Sequence, residues 1–118
     1  MPHLKLEYTE NVQWKIPVQE IFHKLQSVLI QHAKVKPENC KHRAIQLKDY
    51  LCSNNGSPCG FIHLEISMLS GRSETVKSKI GSECTKIIRE FLESSPQVQV
   101  SVEIRDMDRK NYFTTSQL

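Results

Sequence analysis

No apolar run in this 118-residue chain approaches the ~20 residues that a membrane-spanning helix needs. Nor does a basic segment followed by an apolar one open it, so no secretory signal is expected. The four cysteines, Cys40, Cys52, Cys59 and Cys84, contain no C-x-x-C pair, which argues against zinc. Without an export signal they are expected to be reduced, in a cytoplasmic setting. His3, His23, His32, His42 and His63 lack metal-ligand spacing and are expected to be structural or solvated, so no metal is expected. Ser70 and Ser73 have no evident histidine partner, which leaves a hydrolase triad without support. Net charge is only +3, which suits a small anionic substrate and does not call for nucleic acid or membrane.

What is present fits one soluble domain over residues 1–118, with 38% hydrophobic and 25% charged residues. Leu4, Leu6 and Tyr8 alternate with His3, Lys5 and Glu7, the period of a strand with one buried face. Ile21, Phe22, Leu25, Val28 and Leu29 fall at helical spacing, predicting a helix over about 16–33. Residues 41–51 read as a weaker strand, with Arg43, Ile45 and Leu47 on one face. Residues 53–58 carry turn chemistry. Ile62, Leu64, Ile66 and Met68 mark a clear strand over 61–68, opposite Phe61, His63 and Glu65. Ser73 is a good helix cap, and the stripe from Val76 and Ile80 to Phe91 and Leu92 follows it. Residues 94–96 end that helix, and Val98, Val100, Val102 and Ile104 make a last strand. The element order is therefore β-α-β twice, with both helices on one face of a four-stranded sheet. Two sheet orders share it. The second and third strands are neighbours in one, and the two first strands meet centrally in the other; patterning does not choose.

Pro2 follows the initiator directly. If Met1 is removed, Pro2 carries a free secondary amine, whereas an internal proline has no basic nitrogen. An α-amino group has a pKa of about 7.7–8.0, and burial or nearby cations lower it. A neutral amine of this kind accepts and returns a proton.

Pro2-His3-Leu4 through Glu7-Tyr8, Phe61-Ile62-His63-Leu64-Glu65-Ile66 and Gly71-Arg72-Ser73 together resemble the 5-carboxymethyl-2-hydroxymuconate isomerases of the tautomerase superfamily. The likeness runs from Pro2 to about Phe113. It implies an α+β (α/β) tautomerase-like fold, two tandem β-α-β units in a mixed four-stranded sheet, assembled as a homotrimer with sheets facing inwards. It suggests that the tail over 107–118, with Tyr112 and Phe113, docks on a neighbouring subunit. It implies cofactor-independent ketonisation of a 2-hydroxymuconate-type dienol in aromatic compound catabolism, homoprotocatechuate degradation included. Pro2 is then general base and acid, and Arg72, whose planar fork suits a carboxylate, the catalytic cation. Arg43 and Lys41 align with the family's arginines near the second strand and are the expected substrate-binding cations. Lysine at 41 is a departure, because a point donor does not reproduce a fork.

Three other readings fit the same element order. A tautomerase of a phenylpyruvate-like enol acid needs fewer cations. A non-catalytic trimer keeps only the scaffold. An RNA-recognition module needs exposed aromatics and a basic, glycine-bearing motif on its central strands, and only Phe61 and His63 are offered.

Overall fold

A computed structural model describes residues 1–53, 55–94 and 96–115. Asn54 and Ser95 of the expected turns, and residues 116–118 of the tail, lie outside the described residues. The chain runs β1 (His3–Thr9), α1 (Val18–Ala33), a 3-10 turn (Pro37–Asn39), β2 (Lys41–Leu47), β3 (Cys59–Leu69), α2 (Glu74–Glu90), β4 (Gln97–Met107) and a second 3-10 turn (Arg109–Asn111).

The sheet order is β2-β1-β3-β4. β1 and β2 pair in parallel, as do β3 and β4, while β1 and β3 pair antiparallel at the centre with Leu6 opposite Leu64. The sheet thus takes the arrangement with the two first strands in the middle. Within the described sheet β2 pairs with β1, whereas the RNA-recognition order sets the second strand beside the third.

One sheet face and two helical stripes close the core. Leu4, Leu6, Ile62, Leu64, Ile66 and Met68 are buried under Ile21, Leu25 and Leu29 of α1 and Ile80, Cys84 and Ile88 of α2. Each large aliphatic side chain there contributes roughly 1.5–3 kcal/mol of transfer free energy. α1 starts after Pro17, whose φ of −60° suits a helix entry, and stops at Lys34, which turns left-handed at φ 57°. Ser73 accepts a hydrogen bond from the Val76 N–H, 3.2 Å, and fixes the start of α2.

Two sequence expectations need correction. The second strand stops at Leu47, not near residue 51. Its single neighbour β1 ends opposite Leu47, and the Glu10 N–H to Leu47 carbonyl bond, 3.0 Å, is the last that β1 offers before the chain turns away at Val12. Nor are all four cysteines free. Cys52 and Cys59 form a disulfide with Cα atoms 6.0 Å apart, leaving Cys40 and Cys84 as thiols. The turn between them reverses through Asn55 and Gly56, both at positive φ (51° and 81°), and so brings two distant-looking cysteines together.

The other sheet face carries polar groups. His63 Nδ1 shares a hydrogen bond with Ser101 Oγ at 2.6 Å, and Arg105 Nε donates to Glu103 at 3.2 Å and approaches Glu65 at 3.8 Å. Glu65 thereby has the cationic partner that a half-covered carboxylate on this face needs.

Candidate functional site

Four segments converge where β1 begins and β3 ends. Pro2 is buried, and its carbonyl accepts the Lys41 N–H at 3.0 Å, tying the amino terminus to the start of β2. Gly71 follows β3 and has φ +127°, a region that L side chains rarely adopt, so the sharp exit towards α2 depends on glycine. Arg72 comes next and is half-buried. Its guanidinium donates to the Leu69 carbonyl at 3.0 Å and to the Ala33 carbonyl at 3.2 Å. It therefore bridges the end of β3 and the carboxyl end of α1, where a cation also meets the negative pole of the helix. A guanidinium pinned at two carbonyls is not a freely solvated loop side chain.

Of the other anticipated cations, Lys41 acts on the terminal amine and Arg43 reaches His3, two residues along. Lys41 Nζ donates to the Glu38 carbonyl at 2.8 Å, and the side chain is exposed. Arg43 lies further along the open sheet face, with Nη1 3.3 Å from His3 Nδ1. Arginine only donates, so Nδ1 accepts, and Nε2 carries the proton that goes to the Tyr112 hydroxyl at 2.9 Å. Burial, then Arg43, the amino terminus and Lys41, hold His3 below the ordinary histidine pKa. Tyr112 thus rests edge-on against His3 of its own chain, while Phe113 remains 85% exposed.

The terminal amine in this chain belongs to Met1, one residue ahead of the Pro2 nitrogen. Burial lowers its pKa most, and Arg72, Arg109 and Lys41 push the same way, with the Cys40 thiol opposing. Among the described residues no carboxylate makes an ion pair with Arg72, Arg109, Lys41 or Arg43. Two of these neighbours were missed in the sequence. Arg109 lies in a polar tail without periodicity, and Cys40 in a loop with no motif. Among the described residues no three His, Cys, Asp or Glu side chains are grouped to hold a metal ion. A separate hollow lined by Arg89, Leu92, Pro96 and Val98 lies at the far end of α2.

Tandem β-α-β units with Pro2 buried at the start of the central strand β1 define a tautomerase-type fold, and the comparisons agree. The profile of the family described as 5-carboxymethyl-2-hydroxymuconate isomerase matches residues 2–118, so the chain belongs to that family of isomerases in the tautomerase superfamily. A 5-carboxymethyl-2-hydroxymuconate isomerase from Deinococcus radiodurans R1 superposes with TM-score 0.77 at 27% identity, covering 97% of this chain and 88% of that one. A 5-carboxymethyl-2-hydroxymuconate delta-isomerase gives 0.74 at 19% identity, covering 98% and 87%. A fused 4-OT described as a wild-type symmetric trimer gives 0.73 at 11% identity, covering 96% and 91%, and bears on the fold alone. The search of curated proteins finds no match. No helix among the described residues is long and apolar enough to cross a membrane.

Proposed function

We propose that this chain ketonises a 2-hydroxymuconate-type dienol, such as 5-carboxymethyl-2-hydroxymuconate, to its 2-oxo isomer without a cofactor, within aromatic compound catabolism. The observation that carries this reading is the setting of the amino terminus: Pro2 is buried with its carbonyl tied to the start of β2, and the Arg72 guanidinium, whose charge acts on the terminal amine, is held at the ends of β3 and α1 with no carboxylate paired to it among the described residues. After Met1 is removed, the secondary amine of Pro2 takes that place.

Neutral Pro2 takes the proton from the 2-hydroxyl. The O–H bond breaks, an N–H bond forms, and the negative charge spreads over the conjugated dienolate. Arg72 stabilises the charge on the 2-oxygen. The same N–H proton then passes to a distant carbon, the electron pair shifts along the chain, and the 2-oxo product leaves Pro2 neutral again. One group serves as base and acid because the proton is carried, not lost.

Assembly as a homotrimer belongs to the same proposal. Inward-facing sheets cover the His63, Glu65 and Arg105 face and the half-exposed Ile45, and Phe113 docks on the neighbouring subunit. The test compares ketonisation by the trimmed chain, by Pro2→Ala and by protein retaining Met1. Both altered termini are expected to lose activity by about 10²–10⁴-fold, the range for a general acid–base group. Sedimentation should find all three as trimers. Full activity with Met1 in place refutes the proline mechanism.

A further inference from the structure

Arg109 and Arg72, 37 positions apart in the chain, anchor on neighbouring carbonyls at the end of β3. β3 ends in two successive carbonyls, and each holds a guanidinium. Leu69 accepts from Arg72 Nη1 at 3.0 Å, and Ser70 accepts from Arg109 Nε at 2.9 Å. The left-handed turn at Gly71 lies between them, with an Arg109 terminal nitrogen 3.7 Å from where a Cβ would stand.

The segment that delivers Arg109 is clamped at several points. Ser70 N–H donates to the Met107 carbonyl at 2.9 Å. Asp108 turns the chain by accepting from the Lys110 N–H at 2.9 Å and from Asn111 Nδ2 at 3.2 Å. Tyr112 then fastens to His3. Asp108, the nearest acid in sequence, is therefore occupied by its own turn. Arg109 is exposed, and among the described residues it pairs with no carboxylate. Its anchoring contact uses Nε, which leaves the donors of the two Nη groups unused by that contact.

We propose that Arg109 is the second carboxylate-binding cation of the site, paired with Arg72 across Gly71, so that the pocket selects dicarboxylates over monocarboxylates. This rests on the proposed isomerase reading and deepens it. It gives the C-terminal segment a place in substrate selection beside the cations expected from the sequence, Arg43 and Lys41.

The test is equilibrium binding by calorimetry with two unreactive probes of equal length, muconate (two carboxylates) and sorbate (one). Wild-type protein is expected to favour muconate. Arg109→Gln is expected to lower the muconate-to-sorbate affinity ratio about tenfold or more, the scale of a charge-assisted carboxylate contact. Arg109→Lys should fall between, since it restores charge without the fork. Arg89→Gln, which removes the same charge at the far end of α2, should leave the ratio as it is. The inference is overturned by a wild type with no muconate preference, or by an Arg109→Gln ratio equal to wild type. It is equally overturned by a lysine variant as poor as the glutamine one, which marks a mere clamp, or by an equal loss in Arg89→Gln. Dienol turnover by wild type, measured in parallel, separates failure of this inference from failure of the isomerase reading.

Discussion

The two ends of the sheet are built in opposite ways. At the end where β3 begins, polar groups answer one another. Buried Thr9 donates to Asn11 Oδ1 at 2.7 Å and accepts from the Phe61 N–H at 3.2 Å, and Asn11 donates to the Cys59 carbonyl at 2.8 Å. The Cys52–Cys59 bond closes the same corner. At the end where β1 begins, Lys77 is paired with Glu74 and Asp106, but among the described residues Arg72 and Arg109 rest on neutral carbonyls, and the terminal amine near them is partly buried. The Thr9–Asn11 hydrogen-bond network and a covalent tie fix a shape. Cations left without acids, held by neutral acceptors, keep their charge for something that binds. Substitutions at the first end should therefore change stability and spare binding, and those at the second should act first on binding.

The largest effect is expected at Arg72. Arg72→Gln should lower kcat/KM for a 2-hydroxymuconate-type dienol by about 10²–10³-fold, the cost of losing one donor to a developing oxyanion. The two carbonyl contacts of Arg72 go as well, so a stability loss of about 1–3 kcal/mol is expected beside the kinetic one. A stability loss with intact turnover would dissolve the contrast between the two ends.

Next come two substitutions at the closed end, read by urea unfolding. Replacing Cys52 and Cys59 by serine should cost about 2–3 kcal/mol, since cross-linking a short loop restricts the unfolded chain. The same loss should appear in wild type under reductant. Gly60→Ala places a Cβ 2.6 Å from Thr9 Oγ1 and 2.8 Å from Asn11 Oδ1, both fixed by the network above, and overpacking of that kind costs about 1–3 kcal/mol. Either variant should keep wild-type affinity for muconate. A matching fall in affinity would show that the two ends are coupled.

How much of this contrast could be read from the chain follows from the reach of each signal. The alternation in β1 and β3 and the stripes of α1 and α2 are local, and local periodicity is what a core imposes on sequence. Pro2 and Gly71-Arg72-Ser73 stood out through the family resemblance, and of these Gly71 and Ser73 take the positive-φ turn and the helix cap that their residue types suit. Sheet order was not, because the loop over 48–58 is long enough for either arrangement, and the resemblance had to supply the choice. The disulfide was hidden by its spacing, which follows from left-handed residues in the turn and from no motif. Arg109 was hidden for a related reason: what places it is the end of β3, and nothing in the tail's own pattern records that contact.

The smallest effect concerns pH and crosses the contrast, because its two histidines lie at the cation-rich end and on the helix side of β2. His3 is kept below its ordinary pKa by burial and by Arg43, the terminus and Lys41. His42 is kept low by burial and by His23; it stacks on Phe22, and its Nε2 meets Gln26 Oε1 at 3.1 Å. With Nε2 donating there, Nδ1 is the basic atom, and it is buried without a partner, so protonation would leave an unsatisfied N–H. For both groups the folded pKa lies below the unfolded one, so the unfolded chain binds protons first. Stability should be complete above the unfolded value of about 6.5 and fall as pH drops through it towards the folded pKa. Urea midpoints between pH 7.5 and 5.5 should decline, and His42→Gln should flatten that decline. His3→Gln should flatten it too and, because it also releases Tyr112, should weaken muconate binding, which His42→Gln should not. Equal effects of the two variants on binding would mean that the tail does not depend on His3, and the clamp that presents Arg109 would have to lie in Ser70 and Asp108 alone.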